Sequence, residues 1–390
     1  MRKVSAADGP IGLYVHVPFC ERKCAYCDFY SLENHDGIAG YLDALDREIA
    51  LYTEPGHPAH ARTLYYGGGT PSILTIEQLR RTQEHFHKAF HIASDAEITI
   101  EVNPGTVDRD ALRAYRSLGF NRLSIGVQSF DPVALTFLGR IHSVDDARRC
   151  IADARDAGFT NISIDLIYSV PGQSDESWYA SLEEAVRLRP EHISAYSLIV
   201  EEQTPLFVQV KEGQVTPNSD THEATLYEGT MAWLEREGYA HYEVSNYALP
   251  GMQSRHNSAY WDHTGYLSFG PSAHAFLPPS DDMPGMRWSN VRSLGGWSAR
   301  LGKGERPLER EEHLGGQELF EEGVFLGLRS NGLDPSRVEK MSGIRFTARQ
   351  RETLESLIAG GLAVHDQGRI RLTQAGFVLC DEVCARVLVP

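Results

Sequence analysis

No stretch of the 390 residues approaches the roughly 18 consecutive apolar residues that a membrane-spanning helix needs. The opening residues, MRKVSAADGP, lack the apolar core of a secretory signal, so membrane insertion is not expected and a cytoplasmic location is. Positive charge is also short: 37 Lys and Arg stand against 53 Asp and Glu, a net charge of −16. That balance opposes broad attraction to phosphate backbones and removes nucleic acid from the expected partners. No GxGxxG follows any of the apolar runs, which removes the dinucleotide-binding fingerprint. Cysteine is sparse, with six in the chain, too few and too uneven for a disulfide framework. Three of the six fall within eight positions, however, and in a reducing compartment such a group reads as a metal or redox site.

What is present is an alternation. Short β-branched runs at residues 11–17, 62–66, 97–102, 121–127, 161–167 and 192–198 are predicted strands. Amphipathic helical spacing lies between most of them, at 38–52, 76–90 and 144–157 for example. Six strand–helix units in series predict a parallel sheet with right-handed crossovers, an α/β partial (βα)6 barrel over residues 1–240. Residues 241–309 are rich in Gly, Pro, Ser and aromatics and read as a connecting region, with a surface loop at 278–285. Residues 310–390 predict helices at 312–328, 335–341 and 348–359, a hairpin at 362–372 turned at 366–368, and a last helix from Gln374. Helices plus a hairpin form a small α+β winged-helix-like module. Its ten basic and twelve acidic residues favour protein contact or lid duty over DNA.

The chemistry concentrates directly after the first predicted strand, in Cys20-Glu-Arg-Lys-Cys24-Ala-Tyr-Cys27. Thiolates suit iron–sulfur clusters and zinc alike. Structural zinc needs four ligands, usually as paired CxxC knuckles, and no second knuckle exists here. Three thiolates instead fill three corners of a [4Fe–4S] cubane and leave one iron open. The strand end is also where barrel proteins build active sites.

This CxxxCxxC loop resembles the signature of the radical S-adenosylmethionine superfamily. The resemblance implies that Cys20, Cys24 and Cys27 hold the cluster and that the open iron chelates S-adenosylmethionine. Gly67-Gly68-Gly69-Thr70-Pro71 resembles the segment that hydrogen-bonds the methionine amino group, with Gly68, Gly69 and Thr70 as contacts. Glu101, Gln128 and Asp165 sit in or at the ends of successive strands, and Arg140 follows Gln128 by twelve residues. With Tyr14, six residues before Cys20, they match the cofactor-contacting set of the coproporphyrinogen III oxidase-like branch.

Two relatives share motifs from Tyr14 to Trp261: the oxygen-independent coproporphyrinogen III oxidases and the HemW family of heme chaperones. The oxidases carry a further cysteine two residues after the third ligand, where Phe29 stands here, and a long N-terminal extension, where 19 residues precede Cys20. Arg255-His256-Asn257-Ser258-Ala259-Tyr260-Trp261 matches the HNxxYW signature of HemW and implies heme on His256. Neutral imidazole is a common axial ligand of heme iron. His263 and His274 remain rival ligands, and His16 is read as structural. The implied function is heme binding and transfer to an acceptor protein, with an electron donor such as a flavodoxin or ferredoxin. A coproporphyrinogen dehydrogenase, or a radical enzyme with another substrate, stays open as the alternative. Cys150, Cys380 and Cys384 are read as core packing.

Overall fold

The structure, a computed structural model, describes residues 4, 9–53, 58–280 and 283–389. Its centre is six parallel strands in sequence order: β1 (Ile11–Val17), β2 (His60–Gly68), β3 (His91–Val102), β4 (Arg122–Gln128), β5 (Ile162–Tyr168) and β6 (His192–Ser197). Helices between them cover the outer face, so the strands are buried on both sides. Six of the seven residues of β1 are buried, which is why these strands read as near-continuous apolar runs. The intervening helices start where a side chain can take the first free N–H groups. Thr75 opens the helix Ile76–Ala89 and Ser143 the helix Val144–Asp156, each with a reciprocal capping box.

The sheet does not stop at these six strands. Residues 241–309, expected as a connection, are built into it. β7 (Ala240–Glu243) and β8 (Asn246–Ala248) extend it antiparallel beyond β6. β9 (Tyr266–Phe269) runs parallel beside β1, and β10 (His274–Leu277), β11 (Gly285–Asn290) and β12 (Leu308–Leu314) continue as an antiparallel meander. The result is one twelve-stranded sheet. Of the expected loop at 278–285, residues 281–282 lie outside the described residues and Gly285 is already the first residue of β11. The helix expected from residue 312 begins at Gly316, because residues 308–314 pair with β11 as an edge strand whose charged side chains face solvent.

One buried carboxylate locks the added strands to the barrel. Glu48, on the helix Ile38–Tyr52, accepts hydrogen bonds from the Gly270 N–H (2.7 Å), Asn290 Nδ2 (2.5 Å) and Trp297 Nε1 (3.2 Å). Burial outweighs these donors and pushes its pKa up to about 8. A raised carboxyl pKa makes the contribution complete below about 4.5 and lost as pH rises toward about 8. Glu48→Ala, which leaves the Gly270 N–H and Trp297 Nε1 unpaired and Asn290 Nδ2 with the Gly270 carbonyl alone, is expected to cost about 3 kcal/mol in chemical denaturation. Glu48→Gln is expected to flatten the pH dependence of stability between those limits.

The C-terminal part forms its own small layer: helices Gly316–Leu328, Pro335–Ser342 and Ala348–Ala359, then β13 (Ala363–Asp366) and β14 (Arg369–Leu372), then Gln374–Val378 and Cys380–Leu388. The hairpin turns on Gln367 and Gly368, both at positive φ, as a two-residue turn between twisted strands requires. Cys150, Cys380 and Cys384 are buried free thiols within helices. Among the described residues no helix is long and apolar enough to cross a membrane.

Candidate functional site

The C-terminal ends of β1 to β6 open into one cavity of about 530 Å³. Ten of the twelve residues singled out in the sequence line it: Cys20, Cys24, Cys27, Gly68, Gly69, Thr70, Glu101, Gln128, Arg140 and Asp165. Two do not. Tyr14 stacks on the lining Tyr65, its hydroxyl 3.3 Å from His16 Nδ1, and His256 lies beneath the floor.

The cysteine loop is held by backbone. Gly69 N–H donates to the Val17 carbonyl (2.9 Å) and Thr70 N–H to the Phe19 carbonyl (2.7 Å). Cys20 N–H donates to the Leu32 carbonyl (2.9 Å), and Leu32 N–H returns to Pro18 (2.8 Å). Gly69 is required for this approach: a Cβ there would lie 2.6 Å from the Phe19 oxygen and 2.8 Å from the Val17 oxygen, both backbone atoms that cannot turn aside. Gly69→Ala is therefore expected to displace the cysteine loop and to cost about 1–3 kcal/mol in chemical denaturation.

The three thiols are free and share the cavity wall. The Thr70 hydroxyl points at Cys20 Sγ (3.6 Å) and Arg140 Nη1 at Cys24 Sγ (3.4 Å). Arg140 is anchored by Asn103 Oδ1 (2.5 Å) and the Gly126 carbonyl (3.0 Å), and its buried Nε has no partner. Burial pushes the Cys27 thiol up to about 11, so the free thiol is protonated near neutrality. Among the described residues no three His, Cys, Asp or Glu side chains are placed to hold a single metal ion. Three free thiols without a fourth ligand, a cation beside one sulfur and glycine backbone at the rim fit a cubane with an open iron.

Glu101 takes the Tyr65 hydroxyl (2.9 Å) and the Gly68 N–H (3.1 Å). Burial, with Asp165 nearby, pushes its pKa up to about 7 against the effect of those donors. Asp165 takes the Ser124 hydroxyl (3.0 Å), and burial raises its pKa too. The walls below add Arg122, Ser163, His192, Ser194 and Tyr196, which the motif reading missed. The signal for them was the strand alternation that turns every second residue inward.

His256 lies in the helix Arg255–Trp261 under the barrel and is 2% exposed. Its Nδ1 lies 2.7 Å from Thr63 Oγ1 and its Nε2 2.7 Å from the Tyr260 hydroxyl, so both ring nitrogens are engaged. Burial lowers its pKa to about 3 and keeps it neutral. His263 stacks on Phe276 and bonds Glu322 through Nε2 (3.1 Å), leaving a buried Nδ1 without a partner. His274 is the exposed imidazole of the three. His16 is structural, with Nε2 on the Tyr30 carbonyl (2.9 Å) and burial lowering its pKa to about 4.

A half-open parallel barrel with three thiols at its mouth defines the class of radical S-adenosylmethionine proteins. The family model of the radical SAM superfamily matches residues 14–185, and that of the HemN C-terminal domain matches residues 314–379. Heme chaperone HemW of Mycobacterium tuberculosis is 35% identical over 383 residues, covering 97% of this chain and 95% of its own. Heme chaperone HemW of Bacillus subtilis is 34% identical over 375 residues, 95% and 97% of the two chains. Among solved structures, the coproporphyrinogen III oxidase HemN of Escherichia coli, described as a radical SAM enzyme, superposes with a TM-score of 0.80 at 26% identity. That match covers 97% of this chain and 90% of the oxidase. The chain belongs to the radical SAM superfamily and, within it, to the HemW family.

Proposed function

We propose that this protein is a heme chaperone that carries a [4Fe–4S] cluster and S-adenosylmethionine, binds heme and passes it to an acceptor protein. The observation that carries the reading is near full-length similarity to HemW chaperones, joined to the HNxxYW helix at residues 256–261. Phe29 supports it: the position is 65% exposed beside the cluster loop and offers no thiol.

Cys20, Cys24 and Cys27 hold the cluster, which when bound supplies an open iron for the methionine amino and carboxylate groups and an electron to the sulfonium. The chain's own groups place the cofactor. Gly68, Gly69 and Thr70 bring backbone and a hydroxyl to the methionine end, and Glu101, Gln128 and Asp165 line the walls. Tyr14 stacks on the lining Tyr65, and Arg140 places a cation beside Cys24. A flavodoxin or ferredoxin is the electron donor in this reading. His256 is the heme ligand carried over from the family. Ligation by it requires the imidazole to leave Thr63 or Tyr260, with His263 and His274 as the competing imidazoles. The reading places the protein in the cytoplasm, with no nucleic-acid partner.

The fold shared with the coproporphyrinogen oxidase supports a second reading, a dehydrogenase that converts two propionates to vinyl groups. Anaerobic incubation with coproporphyrinogen III, S-adenosylmethionine and dithionite separates the two. No vinylated product is expected from a preparation that cleaves the cofactor, and stoichiometric product would overturn the chaperone reading.

A further inference from the structure

The HNxxYW helix does more in this fold than present a histidine to heme. Ser254 and Asn257 line the floor of the cofactor cavity, while Ser258, Ala259 and Asp262 line a second cavity on the outer side. The helix is thus the partition between the barrel interior and the underside.

Cross-strand register arranges the inward residues of β1, β2 and β3 in layers. Gly12, Thr63 and Glu97 are register neighbours in the lowest layer, and Tyr14, Tyr65 and Thr99 in the middle one. His16, Gly67 and Glu101 follow above, at the level of the cysteine loop. His256 is clamped into the lowest layer. Thr63 holds its Nδ1, and the Glu97 carboxylate accepts its backbone N–H (3.0 Å) and that of Arg255 (3.1 Å). Gly12 leaves the space: a Cβ there would meet Thr63 Oγ1 at 3.1 Å and His256 Nδ1 at 3.4 Å. The imidazole then supports the layer above. Its ring stacks on Tyr65 at 5.0 Å between centroids and on Tyr14 at 6.3 Å, and Tyr65 stacks on Tyr14 at 6.0 Å. The Tyr65 hydroxyl, set by that stack, donates to Glu101 at the cavity wall.

We propose that His256 is a positioning residue for the S-adenosylmethionine site, acting through Tyr65 on Glu101, independently of any bound heme. The inference rests on the cofactor half of the reading above and not on its heme half. One imidazole engaged at both nitrogens and stacked on the tyrosine that donates to Glu101 fixes where that carboxylate lies. Removing it leaves an empty space beneath Tyr65, and the ring can drop away from Glu101.

The test uses heme-free, cluster-reconstituted full chain. S-adenosylmethionine binding is followed by equilibrium dialysis and by the change it causes in the reduced cluster's electron paramagnetic resonance spectrum. His256→Ala is expected to weaken binding by about tenfold, the scale of losing one well-placed hydrogen-bonded contact, with iron content unchanged. His256→Phe, which keeps a ring beneath Tyr65 but cannot act as an imidazole ligand to heme, is expected to recover most of the affinity. Tyr65→Phe keeps the stacked ring, loses the Glu101 bond and is expected to weaken binding similarly. Adding His256→Ala to Tyr65→Phe should then cost little more, since both act through one contact. Wild-type affinity in His256→Ala, or full additivity in the double variant, overturns the proposal. If S-adenosylmethionine leaves the wild-type cluster spectrum unchanged, the cofactor reading itself fails and this inference falls with it.

Discussion

Replacing any one of Cys20, Cys24 and Cys27 by alanine is expected to abolish the [4Fe–4S] cluster while leaving the barrel folded. The three sulfurs line one cavity and no other cysteine is near: Cys150 lies in the helix Val144–Asp156, and Cys380 and Cys384 lie in the last helix. A cubane with two protein thiolates has two open irons and is readily lost. The loop does not depend on the thiols for its shape, since backbone bonds from Gly69, Thr70 and Leu32 hold it. Iron content and the cluster's visible absorbance should fall to about background. Far-ultraviolet circular dichroism should not change. S-adenosylmethionine binding should disappear with the cluster. A variant that keeps four irons and binds the cofactor would remove that cysteine from the ligand set.

The second large effect is a pH dependence. Burial holds the pKa of Glu101 up to about 7, so the side chain is mostly protonated below that pH. A cationic sulfonium compound favours the ionised form. Binding below about pH 7 must therefore take a proton off Glu101, and affinity should fall by up to about tenfold per pH unit as pH decreases. Above that point the carboxylate is already ionised and the affinity should level off. Glu101→Gln is expected to remove the slope and to lower the affinity at pH 8 by about tenfold or more. Dialysis with labelled cofactor between pH 5.5 and 8.5 reads both effects. A flat wild-type profile would mean that Glu101 does not share the cavity with the cation.

The barrel was legible because its signals are local and repeated. The apolar run at residues 11–17 and the amphipathic run at 38–52 coincide with β1 and the first helix at both ends. The cysteine loop was legible because three thiols at that spacing fill three corners of a cubane, and the GGGTP turn only through its resemblance to the superfamily's segment. What the sequence did not yield was set by distant partners. β9 and β10 are four residues each, too short for a periodic pattern, and exist because β1 offers a free edge. β12 reads LEREEHL, a helical composition, and β11 turns it into an edge strand. Arg122 belongs to no motif, and a charged residue at a strand start carries no signal of burial, yet it is 2% exposed inside the barrel, bonded to Asn161 (2.5 Å). His256 was found by its motif, but its engagement with Thr63 depends on a contact across 193 positions of chain. No local pattern announces such a pairing.

Heme binding is read by titrating heme into anaerobically reconstituted protein and following the Soret band. Saturable one-to-one binding is expected in the wild type, with a spectrum that shifts or weakens in His256→Ala. A linear, non-saturating absorbance rise in the wild type would contradict the chaperone reading.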